Sequence, residues 1–180
     1  ENKVHGYLNS FIGIWQDKKY LKDSQSFLIE HLSKNTTINK SIKKNINKNS
    51  VMLHIRKANY VGEELNLDHY LNCIKYIKNK HGDNTIINLF SDYMNITKYK
   101  DLMERVDSVN LPDNNNPEDV INTFSKMLQN EHFIISNSTY SYMAAFIKNS
   151  ERNPILMPKP WMVYKKNKLL NFPGFTEIER

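Results

Sequence analysis

The sequence predicts an α/β fold in which a parallel β-sheet is covered by helices on both faces. Short apolar runs rich in β-forming residues recur along the chain, and segments with apolar residues at helical spacing separate them. This regular alternation is typical of parallel strands joined by crossover helices. With 180 residues, of which 39% are hydrophobic, the chain is long enough to bury such a core without disulfide bonds.

The individual elements follow from local signals. Gly82 predicts the end of the first long helix, Asn95 is a candidate N-cap for the second, and Pro117 predicts the start of the third. The predicted order is strand 50–56, helix 67–81, strand 85–91, helix 96–106, strand 107–112, helix 117–131, strand 132–136, helix 138–149 and strand 154–157.

The two ends of the chain lack this alternation. The first residues are aromatic-rich and irregular, and they lead into a short amphipathic helix near 23–34 that Asp23 or Ser24 would cap. The last residues show no clear period, as expected for an arm or a flexible end. We therefore predict a helical lead-in over 1–49, a folded domain over 50–165 and a C-terminal tail over 166–180.

Composition excludes several classes of protein. The single Cys73 excludes a disulfide framework and a cysteine zinc site, and its place on the apolar face of a helix favours a core role. No apolar run is long enough to span a membrane, and no Gly-rich phosphate loop is present. The net charge of +6 comes mostly from Lys in an Asn-rich chain. We read it as compositional background, and rank a nucleic-acid binder last among the possible functions.

Polar residues lie at or directly after the carboxyl ends of three of the predicted strands. The carboxyl ends of parallel strands meet at one edge of the sheet, which is where α/β proteins bind ligands. This edge is called the rim below. The residues that the sequence places on the rim are His54, Arg56, Lys57, Ser91, Asp92, Asn137, Ser138 and Thr139.

The chemistry of the rim fits a nucleotide diphosphate. Arg56 has the forked guanidinium suited to phosphate, and a helix that begins near Ser138 would direct its N–H groups at an anion. Asp92 could accept hydrogen bonds from a purine base or from ribose hydroxyls. Each group also has a structural interpretation, since His54 could simply be hydrogen-bonded and the serines could be helix caps. Their coincidence on one rim favours a ligand site.

Carboxylates near the rim are few. Glu63 and Glu64 follow the loop after the first strand, and one of them could act as a general base. A pair of solvated loop residues is the alternative. The sequence has no HExxH motif or other metal-ligand spacing, so we predict neither a metal nor a cofactor.

Several segments resemble the α-1,2-fucosyltransferases of glycosyltransferase family 11. VMLHIRKANYV resembles the family motif HxRRGDYV, and FSDYMNITKY resembles its FSDD segment. HFIISNSTYSYMAAFI is similar to SNSSFSWWAAWL, MPKPW to APKKW, and the upstream GIWQDKKYLKD to GYWQSEKYF. The segments occur in the family order, across roughly residues 10 to 165.

The resemblance implies a Rossmann-like domain that forms one lobe of a GT-B-like glycosyltransferase. Such an enzyme transfers L-fucose from GDP-fucose to a galactose 2-hydroxyl of a glycan, with inversion and without a metal. The family's N-terminal segment GGLGNQMFQY is absent from this sequence, so we expect the C-terminal, donor-binding portion. A role in bacterial surface-polysaccharide synthesis would place the protein in the cytoplasm or peripherally at the inner face of the membrane.

The resemblance also assigns roles. Arg56 would bind the diphosphate and His54 would line the donor pocket, while Lys57 stands where the family has a second Arg. The remaining rim residues match donor-site segments. The related α-1,6-fucosyltransferases carry a glutamate base a few residues past their HxRR motif, and this spacing puts Glu64 at that position.

Two departures from the family pattern bear on activity. Ala58-Asn59 replaces the Gly-Asp of the motif and removes its acidic residue, whereas Tyr142-Met143 replaces Trp-Trp with residues that also suit packing. The first change leaves open an alternative, in which the chain is a degenerate, non-catalytic domain that binds a sugar nucleotide or a protein partner.

Overall fold

The computed structural model describes residues 24–43, 47–57, 64–92, 95, 99–113, 115–148, 153–161 and 174–180. The strands in these ranges are β1 Asn47–Ile55, β2 Ile86–Ser91, β3 Ser108–Asn110, β4 Asn130–Ile134, β5 Ile155–Lys159 and β6 Phe175–Glu179. The helices are α1 Ser24–Leu32, α2 Thr36–Lys43, α3 Leu67–His81, α4 Lys100–Met103, α5 Pro117–Met127 and α6 Thr139–Lys148.

Within the described ranges, six strands form one parallel sheet in the order β3-β2-β1-β4-β5-β6. This order is that of the doubly wound Rossmann-like folds, so the predicted fold class is confirmed. The connections run outward from β1 to β3 and then return to β4 on the other side of β1. The sheet therefore has its switch point between β1 and β4, and the rim lies at the carboxyl ends of these strands.

Both faces of the sheet are covered. Met52 of β1 belongs to a core with α1, α2, α5 and α6, whereas the alternate residues Val51 and Leu53 belong to a second core with α3 and α4. A strand buried on both faces reads as a continuous apolar run rather than as an alternating one. This burial explains the apolar run from which the strand over 50–56 was predicted.

Two predicted helix boundaries are confirmed. Gly82 ends α3 with a φ of 98°, which only glycine adopts readily, and its N–H donates to Lys78 O at 2.8 Å. Pro117 opens α5, and the Asn116 side chain accepts from the Glu118 N–H at 3.0 Å.

The helix predicted over 96–106 is shorter than expected. The structure has only Lys100–Met103, with Tyr99 rather than Asn95 before it; residues 96–98 lie outside the described ranges. After this helix, the Asp107 N–H donates to Ile87 O at 2.8 Å and the Asp107 carboxylate accepts from the Ile87 N–H at 2.7 Å. This pair of bonds ties the chain to β2 directly before β3 begins at Ser108.

The expectation of a tail after residue 165 needs correction, because β6 pairs with β5 over five residues. Phe175 is buried against the Tyr142 ring, with 5.2 Å between ring centroids. Phe175 and Ile178 are three residues apart, so the segment carries no period-two signal. At the other end, α1 confirms the short helix of the lead-in, Asp23 lies outside the described residues, and β1 starts at Asn47.

None of the helices in the described part of the chain is long and apolar enough to cross a membrane.

A pair of histidines links α3 to β4 below the rim. The His132 side chain is 3% exposed, and its ring centroid lies 4.1 Å from that of His81. Burial, reinforced by His81, lowers the pKa of His132 to about 4, and burial also lowers the pKa of His81. Both rings are therefore neutral in the folded protein near pH 7.

We expect acid to destabilise the fold through His132. The pKa of His132 in the folded protein lies below the unfolded value of about 6.5. Its contribution to the free energy of unfolding is therefore fully present above pH 6.5 and is lost as the pH falls from 6.5 toward 4. The His132→Phe variant keeps an aromatic ring but cannot be protonated. Between pH 7.5 and 4.5 its free energy of unfolding should fall by about 1–3 kcal/mol less than that of the wild type. Urea unfolding at the two pH values measures this. His31→Phe, at an exposed position, is the control, and an equal acid loss in both variants would refute the assignment.

Candidate functional site

Three neighbouring strands bring the predicted residues together. β2, β1 and β4 are adjacent in the sheet, and their carboxyl ends carry the segments that the sequence placed on the rim. The structure therefore confirms the common location. The functional roles of these residues stay predictions.

Arg56 is held by an ion pair across the rim. Its Nη1 lies 2.7 Å from Asp92 Oδ2, and the other carboxylate oxygen accepts from the Lys57 N–H at 2.9 Å. The Asp92 side chain is only 4% exposed, whereas that of Arg56 is 30% exposed. A buried carboxylate needs such partners. Asp92 is thus placed to orient Arg56 toward solvent, and its contact with a base or ribose stays a prediction.

Lys57 contacts the candidate base. Its Nζ lies 2.9 Å from Glu64 Oε2 and 5.1 Å from the centroid of the Tyr99 ring. The hydrogen bond to Glu64, followed by that to Tyr99, raises the pKa of Lys57, so the ammonium is fully charged. Arg180 holds the same segment by donating from Nη2 to Glu64 O at 3.1 Å. The neighbouring Glu63 and the Ala58-Asn59 departure lie outside the described residues.

His54 is a neutral bridge between β1 and the segment after β4. Its Nδ1 lies 2.7 Å from Ser136 Oγ, and both side chains are buried. Burial and then the charge of Arg56 lower the pKa of His54 to about 3, so the imidazole carries no charge at neutral pH. His54 therefore contributes position rather than charge to the rim, and its role in lining a donor pocket stays a prediction.

The start of α6 faces the same edge. Ser138 precedes the helix, and its carbonyl accepts from the Tyr142 N–H at 3.0 Å, as expected of an N-cap residue. Asn137 and Ser138 are buried, whereas Thr139 is exposed. The first N–H groups of any helix lack intrahelical partners and attract anions. Ser91, at the end of β2, is buried and lies in register with Ile55.

Tyr140 fastens α6 to α5 behind the rim. Its hydroxyl donates to Val120 O at 2.6 Å, and its ring centroid lies 6.1 Å from that of His54. Neither this contact nor the Ser136 partner of His54 was predicted from the sequence. Ser136 follows β4, which lies beside β1 in the sheet, and this position was the available signal. The order of elements along the sequence does not show that β4 and β1 are neighbours.

Cys73 is a core residue, as its helical position predicted. It is fully buried, and burial raises the pKa of its thiol to about 12, which keeps it protonated. The described residues contain no group of three or more His, Cys, Asp or Glu side chains that could hold a metal ion.

Comparisons with known proteins agree with the motif resemblance. A model of the family described as glycosyl transferase family 11 matches residues 3–163. An alpha-1,2-colitosyltransferase of Escherichia coli is 28% identical, over 97% of this chain and 64% of its own length. The O-antigen biosynthesis glycosyltransferase WbnK of Escherichia coli is 27% identical, over 73% of this chain and 45% of its own. No solved structure matches significantly.

The chain spans 64% and 45% of the lengths of these two curated relatives. The family model, in contrast, covers nearly all of the chain and includes every segment that carries a rim residue. On this match, the chain belongs to glycosyl transferase family 11.

Proposed function

We propose that this chain is the donor-binding part of a glycosyltransferase that transfers L-fucose from GDP-fucose to a galactose 2-hydroxyl of a glycan. Family membership supports the reaction class. The single observation that carries the proposal is Arg56, held by the buried Asp92 at 2.7 Å and partly exposed at the sheet's switch point. A fixed guanidinium at that place is suited to a diphosphate.

In the proposed complex the diphosphate lies between Arg56 and the first turn of α6. Lys57 supplies a second charge nearby, and the neutral His54 keeps β1 and the segment after β4 in register. Fixed positive groups stabilise the negative charge that develops on a departing diphosphate. The proposal therefore requires no metal ion and no cofactor.

The proposed transfer is a single displacement. The galactose 2-hydroxyl oxygen forms a bond to the anomeric carbon of fucose, and the bond from that carbon to the diphosphate oxygen breaks. The electron pair leaves with GDP, and Glu64 takes the hydroxyl proton. Attack opposite the leaving group inverts the anomeric centre. Glu64 lies next to the rim, 2.9 Å from Lys57, which is compatible with a base beside the donor.

Glu64→Gln should lower kcat by about 100- to 10,000-fold, because a positioned general base contributes about that factor. GDP binding should change little, since the amide keeps a hydrogen-bond acceptor for Lys57. Initial rates and GDP titrations measure the two effects. Glu104→Gln, at an exposed position after α4, is the control. A Glu64→Gln variant with wild-type kcat would exclude Glu64 as the base.

The donor sugar and the alternative of a non-catalytic domain are tested together. The protein is incubated with methyl β-galactoside and either GDP-fucose or GDP-activated colitose, because one relative is named a colitosyltransferase. Nuclear magnetic resonance of the product gives its linkage and anomeric configuration. We expect an α-1,2 product from GDP-fucose. GDP binding without transfer or donor hydrolysis would favour the non-catalytic domain, and turnover with colitose alone would reassign the donor.

We further propose that the product belongs to bacterial surface polysaccharide, made in the cytoplasm or at the inner face of the membrane. The support is the likeness to an O-antigen biosynthesis glycosyltransferase.

A further inference from the structure

A polar groove of about 750 Å³ lies on the sheet face that α2 and α5 cover, and Arg56 is not among its lining residues. Its walls are α2 and α5, and the segment from β3 to Pro112 closes one end. We call it the α2–α5 groove. Its volume is within the range of small-molecule sites in proteins, and none of the predicted rim residues lines it.

The groove is lined by hydroxyl and amide groups. Ser125 is 3% exposed, and its Oγ has no hydrogen-bond partner among the described residues. A buried hydroxyl without a partner costs free energy that a ligand or water would recover. Asn122 and Thr37 line the same space, while Val109 and Leu111 add apolar surface at one end.

Charged groups of both signs lie on the walls of the groove. Lys40 of α2 and Lys126 of α5 face it together with the carboxylate of Asp119. A nucleotide fits this lining poorly, because none of the described lining residues is aromatic and able to stack a base, and the Asp119 carboxylate would repel phosphate. Sugar residues fit it well, since their hydroxyls both donate and accept hydrogen bonds and their C–H faces suit the apolar end.

The groove starts at the same sheet edge as the donor rim. Asn110 lies in register with Phe90, which directly precedes the rim segment of β2. β3 lies two strands from β1, so the entrance is about 10 Å from the Arg56 strand at the usual strand spacing. From Asp119 to Lys126 the groove follows α5 for about 10 Å, a direction that leads away from the transfer point.

From this geometry we infer that the α2–α5 groove binds the inner sugars of the acceptor glycan. That the ligand is the acceptor glycan rests on the proposed function. That the groove binds sugars rests only on the residues that line it. The galactose that receives fucose would lie at the rim, and the sugars behind it would run along α5.

Calorimetry with the trisaccharide galactosyl-N-acetylglucosaminyl-galactose, in the presence of GDP, tests the inference. Asn122→Leu removes an amide from the lining and replaces it with a slightly larger apolar side chain, and should weaken trisaccharide binding at least tenfold. Ser125→Ala removes the buried hydroxyl and should weaken it by a smaller factor. Asn79→Leu, the same change at an exposed position of α3 on the other face, should bind like the wild type.

The GDP affinity should stay unchanged in all three variants. The inference is overturned if the wild type does not bind the trisaccharide, or if Asn122→Leu binds it as tightly as Asn79→Leu does. It is also overturned if Asn122→Leu weakens GDP binding, because the groove would then belong to the donor. If the wild type binds the trisaccharide but transfers no sugar to methyl β-galactoside, the proposed function is contradicted. The groove would then still be a saccharide-binding site.

Discussion

Replacing Arg56 with alanine is expected to weaken GDP binding by roughly 30- to 1,000-fold. The guanidinium lies at the carboxyl end of β1, where Asp92 fixes it at 2.7 Å and leaves it partly exposed. Hydrogen bonds to charged groups contribute about 1.5–3 kcal/mol each, so losing a forked contact with a diphosphate should cost about 2–4 kcal/mol, and about 1.4 kcal/mol corresponds to a factor of ten. Calorimetric titration with GDP measures the change.

Two further variants separate charge from geometry. Arg56→Lys keeps the charge but loses the fork, so its affinity should lie between those of the wild type and Arg56→Ala. Arg105→Ala removes an exposed arginine after α4 and should bind GDP normally. Because Arg56→Ala deprives the buried Asp92 of a partner, urea unfolding must show that the variant is folded under the titration conditions. A folded Arg56→Ala protein with wild-type GDP affinity would exclude Arg56 from the donor site.

The His54→Ala variant should lose about 2–4 kcal/mol in the free energy of unfolding, because the change creates a cavity and leaves the buried Ser136 hydroxyl without its partner. It should also weaken GDP binding, since His54 joins β1 to the segment that leads into α6. Urea unfolding and GDP titration measure the two losses.

A double-mutant cycle isolates the bridge itself. Ser136→Ala should cost about 1–3 kcal/mol, because it leaves the buried imidazole without its partner. If the hydrogen bond at 2.7 Å couples the two residues, the double variant should lose less than the sum of the single losses, by about 0.5–3 kcal/mol. Strict additivity would show that the two side chains act independently.

Local signals in the sequence predicted much of the fold. The apolar run around Met52, the glycine at residue 82 and the proline at residue 117 each specify one element through its own backbone or burial. Because these signals alternate along the chain, a parallel sheet with helices on both faces was the expected result. The rim followed from one rule, that parallel strands end at the same edge.

The contacts within the site could not be predicted in this way. His54 and Ser136 are 82 residues apart, and Lys57 and Asp92 are 35 apart, so their pairing depends on which strands are neighbours. The sequence therefore assigned Asp92 to the ligand, whereas the fold places it against Arg56. Likewise β6 is a strand because it pairs with β5 and buries Phe175, and neither cause leaves a periodic pattern.

A crystal structure of the protein with GDP tests whether the rim binds the donor. We expect the diphosphate to contact the Arg56 guanidinium and to lie at the first turn of α6, beside Ser138 and Thr139. A diphosphate bound elsewhere, for instance between Lys40 and Lys126 in the α2–α5 groove, would contradict this expectation.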